Sequence, residues 1–452
     1  MLSMRRLATL TAAAAITAMF GFAAGPASAQ TQKISGVVVP GSVLINLNIN
    51  ADDTNGASTR SLMVIEADTD QMWNFPFTGM TNNSADTTAT DGQPQHVALH
   101  PNRRRVYLTM GGSATLALRL LVIDLGWEGG MPMPTITKSI EILASGTESK
   151  KWSKALRRQS ALARLQTGLI ERFTQQAHGT RMTEDGHFLL FSELNNNKLR
   201  VFDTWTNDFI TGGSYSHASL KSPHGAWPNA SSTIAVAPQY EYGTSTPGAG
   251  GDAVSVWTML PGSGALTFSK TITLTDGGVK GAFPHTVAWL DDNEFYTGAT
   301  HDTSEAPANT FEQSVFLVNV SAGTATAVLH KWDGSDESSG VKEGVSDVVI
   351  ANGNLYVCEG NVNNATGAGY VSVWSIAGNG SLTFVNRLGA NTGLPASFKQ
   401  CHGLMGSRDG RWVFVQSYIS NHIIKISSMT NWPAKIWDAG DGLSMPHGFY
   451  AN

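Results

Sequence analysis

A short phrase that opens with a histidine recurs along this chain and constrains its fold more than any other feature. In the clearest copy, residues 400–415, the histidine is followed by the pair Asp409-Gly410 and then by a strand-like alternation of bulky residues. An Asp-Gly pair between two such runs is typical of a β-hairpin. A further copy keeps the hairpin and has Asp347 in place of the histidine. The six histidines of the phrase are His96, His178, His224, His285, His402 and His447.

Copies at irregular spacings of roughly 45 to 80 residues indicate one supersecondary unit repeated with loops of variable length. Further strand-like runs follow each phrase, so a unit contains four antiparallel strands, which is a propeller blade. The last unit has only its first strand, while three strand-like runs near the N-terminus, at 42–48, 60–67 and 71–77, lack a first strand. Joining these two ends closes the ring and leaves no free sheet edge.

The sequence therefore predicts an all-β fold, a seven-bladed β-propeller of four-stranded antiparallel blades with 3+1 closure. We expect a single domain over residues 30–452. A charged fraction of 14% and 47 glycines agree with short strands joined by turns. The predicted blades are 94–143, 176–216, 223–273, 283–332, 345–388, 400–438, and 446–452 with 35–78.

One insertion, at about 147–176, is predicted to be helical. Leucines such as Leu156, Leu162 and Leu169 recur there among lysines and arginines, which is the spacing of a basic amphipathic helix. The insertion joins two blades on the face that carries the histidines. It either packs on the rim of the propeller or serves as a lid or as a docking site for an acidic partner.

Residues 1–29 are typical of a secretory signal peptide. They combine Arg5 and Arg6, an apolar run from Leu7 to Phe22, and the small-residue sequence Ala27-Ser28-Ala29. We therefore expect a periplasmic or secreted protein with no membrane span, and the sequence leaves open whether export follows the general or the twin-arginine route. A net charge of −5 without a basic tract argues against nucleic-acid binding.

The repeated histidines indicate a metal site. The starts of the first strands surround the central channel of a propeller, so the six imidazoles and Asp347 should converge at one mouth of that channel. Neutral imidazole is the commonest protein ligand of transition metals. Copper is the first choice for such a nitrogen-rich ligand set in an exported protein, and zinc or iron is the second. The alternative is that Pro-His-Gly is a structural start of the innermost strand and binds nothing.

Other residues of the same face complete the candidate site. Glu193 and Glu359 end second strands there, and with Asp347 they are predicted catalytic residues that act as bases or orient ligand imidazoles. Cys358 and Cys401 lie on neighbouring blades and form either a disulfide, which we favour, or thiolate ligands. Three further histidines of this face are possible extra ligands or simply exposed loop residues. They are His217, His301 and His422.

With its repeat written out, the chain resembles the seven-bladed propellers of the YVTN, or surface-layer-like, superfamily. Its ring of histidines also resembles two copper propellers, the N-terminal domain of nitrous oxide reductase and the selenium-binding-protein family with methanethiol oxidase activity. The resemblance implies copper ligation by the six histidines of the phrase. Two departures are that no cupredoxin domain follows the propeller and that Asp347 interrupts the ring.

We therefore expect a metal-binding propeller, with copper as the metal, that has oxidoreductase activity on a small-molecule substrate and a periplasmic redox partner. Three alternatives remain at this point. A metal-binding or delivery protein without turnover would lack a substrate-sized pocket above the ring. A protein-interaction propeller would hold no metal and would use its long loops and basic helix. A lactonase-like hydrolase would require more carboxylate ligands than the ring supplies.

Overall fold

The described part of the chain forms seven four-stranded antiparallel sheets arranged as blades, as predicted. This computed structural model describes residues 32–34, 37–39, 42–49, 60–112, 116–143, 177–240, 251–299, 313–331, 333–336, 338–342, 344–360, 368–390, 392–417, 419–444 and 446–451. The signal peptide predicted at 1–29 and the helix predicted at about 147–176 lie outside these residues.

The innermost strands of blades 1 to 7 all begin at or just after the repeated phrase. They are Gln93–Leu99, Ala177–Met182, Trp227–Pro228, Pro284–Trp289, Val345–Ala351, Leu404–Gly406 and Pro446–Ala451. The second strands pair with them, across tight turns in blades 1 to 6 and without a connecting turn in blade 7. They are Arg105–Gly111, Phe188–Glu193, Ile234–Pro238, Glu294–Ala299, Asn354–Glu359, Trp412–Ser417 and Val43–Asn48.

The outer half of each blade is a second hairpin. The third strands are Leu118–Glu128, Lys198–Asp203, Ala253–Met259, Ser314–Asn319, Tyr370–Ile376, His422–Ser427 and Ser61–Glu66. The fourth strands are Met131–Leu143, Asp208–Tyr215, Leu266–Thr273, Thr324–Leu329, Leu382–Ala390, Trp432–Trp437 and Met72–Pro76. Their burial alternates, as in Leu266–Thr273, because one face packs on the neighbouring blade and the other faces solvent.

A few short elements decorate this ring. The extra strands are Gln32–Ile34, Val37–Val39, Thr81–Asn82, Thr275–Asp276, Val279–Lys280 and Gly393–Leu394. Among the described residues there is no α-helix, and the helical elements are the 3₁₀ turns Phe77–Gly79, Leu194–Asn196 and Ala439–Asp441. None of the described helices has the length and apolar character needed to cross a bilayer.

The ring closes in the predicted 3+1 manner. The strand Pro446–Ala451 pairs antiparallel with Val43–Asn48, with Leu47 opposite His447, and so completes the N-terminal three-stranded sheet. Each residue of Val43–Asn48 is buried. The two ends of the chain thus share one blade, which fixes the positions of the other six.

The hydrophobic core is distributed around the ring. Seven clusters of buried apolar residues each lie between two neighbouring blades. The cluster that joins blades 7 and 1 packs Val43 and Leu62 against Val97 and Leu108. Since every blade is held on both sides, the innermost strands are fixed relative to one another, and this positions the side chains at the channel.

The disulfide that the sequence favoured is present between blades 5 and 6. The Cα atoms of Cys358 and Cys401 are 5.4 Å apart and the sulfurs are bonded. Cys358 lies opposite Asp347 in the sheet, and Cys401 directly precedes His402. The bridge therefore joins the two blade edges that present these side chains, and the alternative of thiolate ligands is wrong.

Candidate metal centre

Five of the six repeated histidines and Asp347 form a cluster at the centre of the ring. We call His96, His178, His224, His285, Asp347 and His402 the hub cluster; one member comes from each of blades 1 to 6. His447 lies in the innermost strand of blade 7, and the position of its side chain is outside what the structure describes. The structure thus brings together Asp347 and those repeated histidines whose side chains it describes.

Irregular strand pairing explains why these side chains point inward. The register between first and second strands shifts at the repeated phrase in blades 1, 2, 4, 5 and 7. A β-bulge adds a residue to one strand and changes the direction of a side chain, and bulges are common beside active sites.

Glycine after the histidine permits the close approach of two innermost strands. A Cβ on Gly179 would lie 2.4 Å from Cα of Gly225, and Gly179 has φ of 54°. Both the contact and the left-handed backbone exclude larger residues. Glycine is therefore a steric requirement after His178 and His224, where the innermost strands of blades 2 and 3 approach each other.

Three positions of backbone strain lie next to the hub cluster. The residues two positions before His224, His285 and His402 are not glycine, yet each has a positive φ. They are Ser222 at 40°, Phe283 at 53° and Gln400 at 45°. Each such residue costs on the order of 1–3 kcal/mol, and strain of this kind clusters at functional sites.

The first three histidines contact one another directly. Nε2 of His96 and Nδ1 of His178 are 3.1 Å apart, a distance at which one nitrogen donates a hydrogen bond to the other. The ring centroids of His178 and His224 are 5.0 Å apart. The imidazoles are thus close enough to be ligands of a common ion after modest rotations of their side chains.

A chain of hydrogen bonds fixes the tautomers of the two most deeply placed rings. Nδ1 of His224 donates to the carbonyl oxygen of His285 at 3.1 Å, because a carbonyl can only accept. Nδ1 of His285 donates to Oδ1 of Asp347 at 2.9 Å, while the other carboxylate oxygen accepts from the backbone N–H of Leu404 at 3.1 Å. In the neutral rings the proton on Nδ1 leaves a lone pair on Nε2 of both histidines.

Electrostatics keep these groups in the protonation states that ligands need. Burial, with added repulsion from His285 and the other imidazoles, holds the pKa of His224 well below its ordinary value. Burial alone would raise the pKa of Asp347, but attraction to His285, His402 and Arg181 outweighs it, and the pKa is lowered. A neutral imidazole and an ionised carboxylate are the forms that bind metal.

Every member of the hub cluster except His178 lines a cavity of about 40 Å³. A water molecule needs roughly 10–15 Å³ of such volume, so the cavity has room for an ion and a very small ligand. Its other lining side chains include Arg181, Trp227 and Met405, each three residues after a repeated histidine. Sequence reasoning missed all three, although their shared spacing from the phrase is a usable signal. It also missed Tyr240, whose ring centroid lies 5.3 Å from that of His224.

The donor set fits a transition metal, but the rings must move to bind one. Imidazole nitrogen with one carboxylate suits copper, zinc or iron. As they stand, no three or more His, Cys, Asp or Glu side chains of the described residues are arranged so that they could hold an ion. The hydrogen bond between His96 and His178 illustrates the reason, because it occupies nitrogens that a metal would use.

Glu193 and Glu359 are paired with arginines and not with the hub cluster. Glu193 is buried and paired with Nε of Arg200, and it also accepts a hydrogen bond from Asn196. Glu359 is buried 3.2 Å from Nη2 of Arg387, and burial raises its pKa against the attraction of that arginine. Among the described residues, neither glutamate lines the hub cavity. Their positions support structural ion pairs within their blades.

The possible extra ligands also have other surroundings. His217 stacks on Phe268, with ring centroids 3.6 Å apart. His422 is buried beside Ser397 and Ser420, which are 3.3 and 3.1 Å from its ring nitrogens, so its interpretation as an exposed loop residue is wrong. His301 lies outside the described residues. Neither His217 nor His422 borders the hub cavity.

The fold and the hub cluster together define a seven-bladed β-propeller whose central channel is lined by imidazoles. The sequence matches no protein-family model, and no curated protein is significantly similar to it. Solved structures do match. A 6-phosphogluconolactonase-like protein from Bacteroides uniformis is 10% identical with a TM-score of 0.58, over 91% of this chain and 99% of that one.

Two more solved structures have the same architecture. A hypothetical selenium-binding protein from Sulfolobus tokodaii is 14% identical with a TM-score of 0.56, over 90% of this chain and 92% of that one. A protein of unknown function from Desulfotomaculum acetoxidans is 13% identical with a TM-score of 0.54, over 90% and 98% of the two chains. At these identities the likeness concerns the propeller fold alone.

Proposed function

We propose that this protein binds a transition metal, with copper as the preferred ion and zinc or iron as alternatives, through the imidazoles of the hub cluster. One observation carries the proposal: four buried or half-buried imidazoles, those of His96, His224, His285 and His402, line one small cavity, and the tautomers of His224 and His285 leave Nε2 available as a ligand. Copper(II) has the highest affinity of the common divalent ions for nitrogen sites. His447 is a further proposed ligand because its backbone occupies the equivalent position in blade 7.

The residues of the hub cluster would share the work of binding. His224 and His285 offer fixed Nε2 lone pairs, and Asp347 holds the ring of His285 in place, as carboxylates commonly do behind metal ligands. His96, His178 and His402 would rotate to complete the coordination. The disulfide between Cys358 and Cys401 ties the strands behind Asp347 and His402 together, and it agrees with the proposed export to the periplasm or the exterior.

We further propose oxidoreductase activity. A bound copper ion supplies one-electron redox chemistry, with electrons from a periplasmic redox partner. The cavity of about 40 Å³ limits the substrate to a molecule of a few atoms, since pockets for organic ligands are on the order of 300–1,000 Å³. The same small volume favours the second candidate, metal binding or delivery without turnover. Reduction of the copper-loaded protein by ascorbate, followed by reoxidation in air over many cycles, would support the oxidoreductase.

Thermal unfolding with and without copper tests whether the histidines are ligands. Copper at 100 times its Kd should stabilise the wild-type protein by about 2.7 kcal/mol. His224→Ala, His285→Ala and His402→Ala should each lose most of that gain. His217→Ala, remote from the cavity and stacked on Phe268, is the control and should keep it. A gain that survives in all three hub variants would remove these residues from the site.

A further inference from the structure

Arg181 places a guanidinium group at the hub cavity. The residue follows His178 by three positions, a spacing that puts two side chains on opposite faces of a regular strand. Here the strand is not regular, because its register shifts between His178 and Arg181 and Gly179 has a positive φ. Arg181 lines the cavity. An arginine therefore shares the small space in which the imidazoles meet.

Two contacts hold the guanidinium in place. Its Nη1 donates to the carbonyl oxygen of Thr180 at 2.9 Å, and its central carbon lies 5.2 Å from the ring centroid of Trp227. A guanidinium has five N–H groups in a planar fork that matches carboxylate-like anions. The residue is thus positioned as a donor to the cavity.

The charged side chains that line the cavity would not neutralise a bound metal ion. Among the described residues that line the cavity, Arg181 carries the positive charge and Asp347 the negative charge, so the two cancel. A divalent metal ion would add two uncompensated positive charges next to a guanidinium. Buried charge without a partner is strongly unfavourable, so a counter-anion should enter with the metal.

We propose that the hub takes up its metal ion together with one small anion of about two to four heavy atoms, as a cavity of this size allows, and that Arg181 binds this anion. The inference rests on the proposed metal site and deepens it by naming the class of its second ligand. Formate, nitrite, bicarbonate and azide share the required size and charge. The anion would occupy the space between the metal and the guanidinium fork and would neutralise part of the added charge.

Azide is a suitable probe in a chloride-free, non-coordinating buffer. Copper(II) affinity is measured by chelator competition at several azide concentrations, and azide binding by the charge-transfer absorption of its copper complex. Azide should raise the copper affinity of the wild-type protein at least about 5-fold, the lower end of typical couplings, and copper must raise azide affinity by the same factor. Elemental analysis confirms that copper is bound.

Variants assign the coupling to the arginine. In Arg181→Gln the azide effect should fall to within about 2-fold, well below typical couplings, while copper binding without azide becomes tighter because a repelling charge is gone. Arg181→Lys keeps the charge, loses the planar fork, and should be intermediate. Arg104→Gln is the control and should behave as wild type, because Arg104 does not line the hub cavity and borders a separate one beside His100 and Asp124.

Each outcome decides the inference. Copper that binds without any azide dependence in the wild-type protein overturns it and leaves the metal site intact. Equal azide coupling in the wild-type protein and Arg181→Gln also overturns it. If no copper binds, the metal site and the inference fail together. If Arg181→Gln does not fold, Arg181→Lys decides the assignment, because azide coupling equal to that of the wild-type protein would overturn it.

Discussion

Replacing His285 by alanine should destabilise the metal-free propeller by about 2–3 kcal/mol, mainly because Asp347 loses a charge-assisted hydrogen bond. Both side chains are buried, with 6% and 5% of their surface exposed, and the bond is 2.9 Å long. The backbone N–H of Leu404 still binds the other carboxylate oxygen, so the loss should be smaller than the roughly 3–5 kcal/mol of a fully broken buried pair.

A double-mutant cycle isolates this interaction. Urea unfolding at pH 7.5 in a chelator gives the free energy of unfolding for the wild-type protein, His285→Ala, Asp347→Asn and the double variant. The coupling energy should be about 1–2 kcal/mol, within the range for residues in contact. The void left by the imidazole joins an existing cavity that can admit water, so it should add little to the measured difference.

A second histidine–aspartate pair provides the control. On blade 2, Nε2 of His187 is 3.6 Å from Oδ1 of Asp203, which is beyond good hydrogen-bond distance, and the His187 ring stacks on Trp205. The same cycle on this pair should give a coupling below about 0.5 kcal/mol. A hub coupling no larger than that of the control would show that Asp347 does not organise His285, and the argument for a fixed tautomer would be lost.

Three further predictions concern the fold and its pH dependence. Deleting residues 446–452 should lower the melting temperature far more than loss of a tail would, because Val43–Asn48 would become an open edge; an unchanged melting curve would contradict 3+1 closure. Gly179→Ala should destabilise the protein by well over 1 kcal/mol through contact with blade 3, whereas Gly79→Ala, with open space around it, should be nearly neutral in the same denaturation assay. Metal-free stability should fall as the pH drops below about 6.5, because the unfolded chain protonates His224 first, and again below about 3.8, where the unfolded chain protonates Asp347 before the folded protein does; a stability profile flat from pH 7.5 to 5 would argue against a buried neutral histidine.

The blades could be predicted from the sequence because each is specified locally. The repeated phrase, with Asp347 replacing the histidine in one copy, and the alternating strands recur around the ring, so a predicted blade such as 345–388 differs little from the observed strands between Val345 and Ala390. Closure was equally accessible, since one strand was left over at one end and three at the other. Both inferences depend on strand count and turn chemistry, which sequence patterns report well.

The detailed surroundings of the site were less accessible. Arg181 was missed because side chains alternate between the two faces of a regular strand, which puts Arg181 on the face opposite His178. The bulge that changes this alternation is not visible in the residue pattern. Glu193 was assigned to the hub because it ends a strand on the right face, but Arg200, a diagonal neighbour on the adjacent strand, pairs with it instead. Side-chain partners depend on register and on bulges, which local patterns do not fix.

The copper content of the purified protein tests the metal site most directly. The protein is incubated with copper(II), desalted and analysed for metal, alongside a variant that combines His224→Ala with His285→Ala. The wild-type protein should retain close to one equivalent, because neutral imidazoles with free Nε2 lone pairs meet at one cavity, and the variant should retain little. Less than about 0.2 equivalents of every transition metal in the wild-type protein, too little for a specific site, or equal retention by the variant, would contradict a metal centre at the hub.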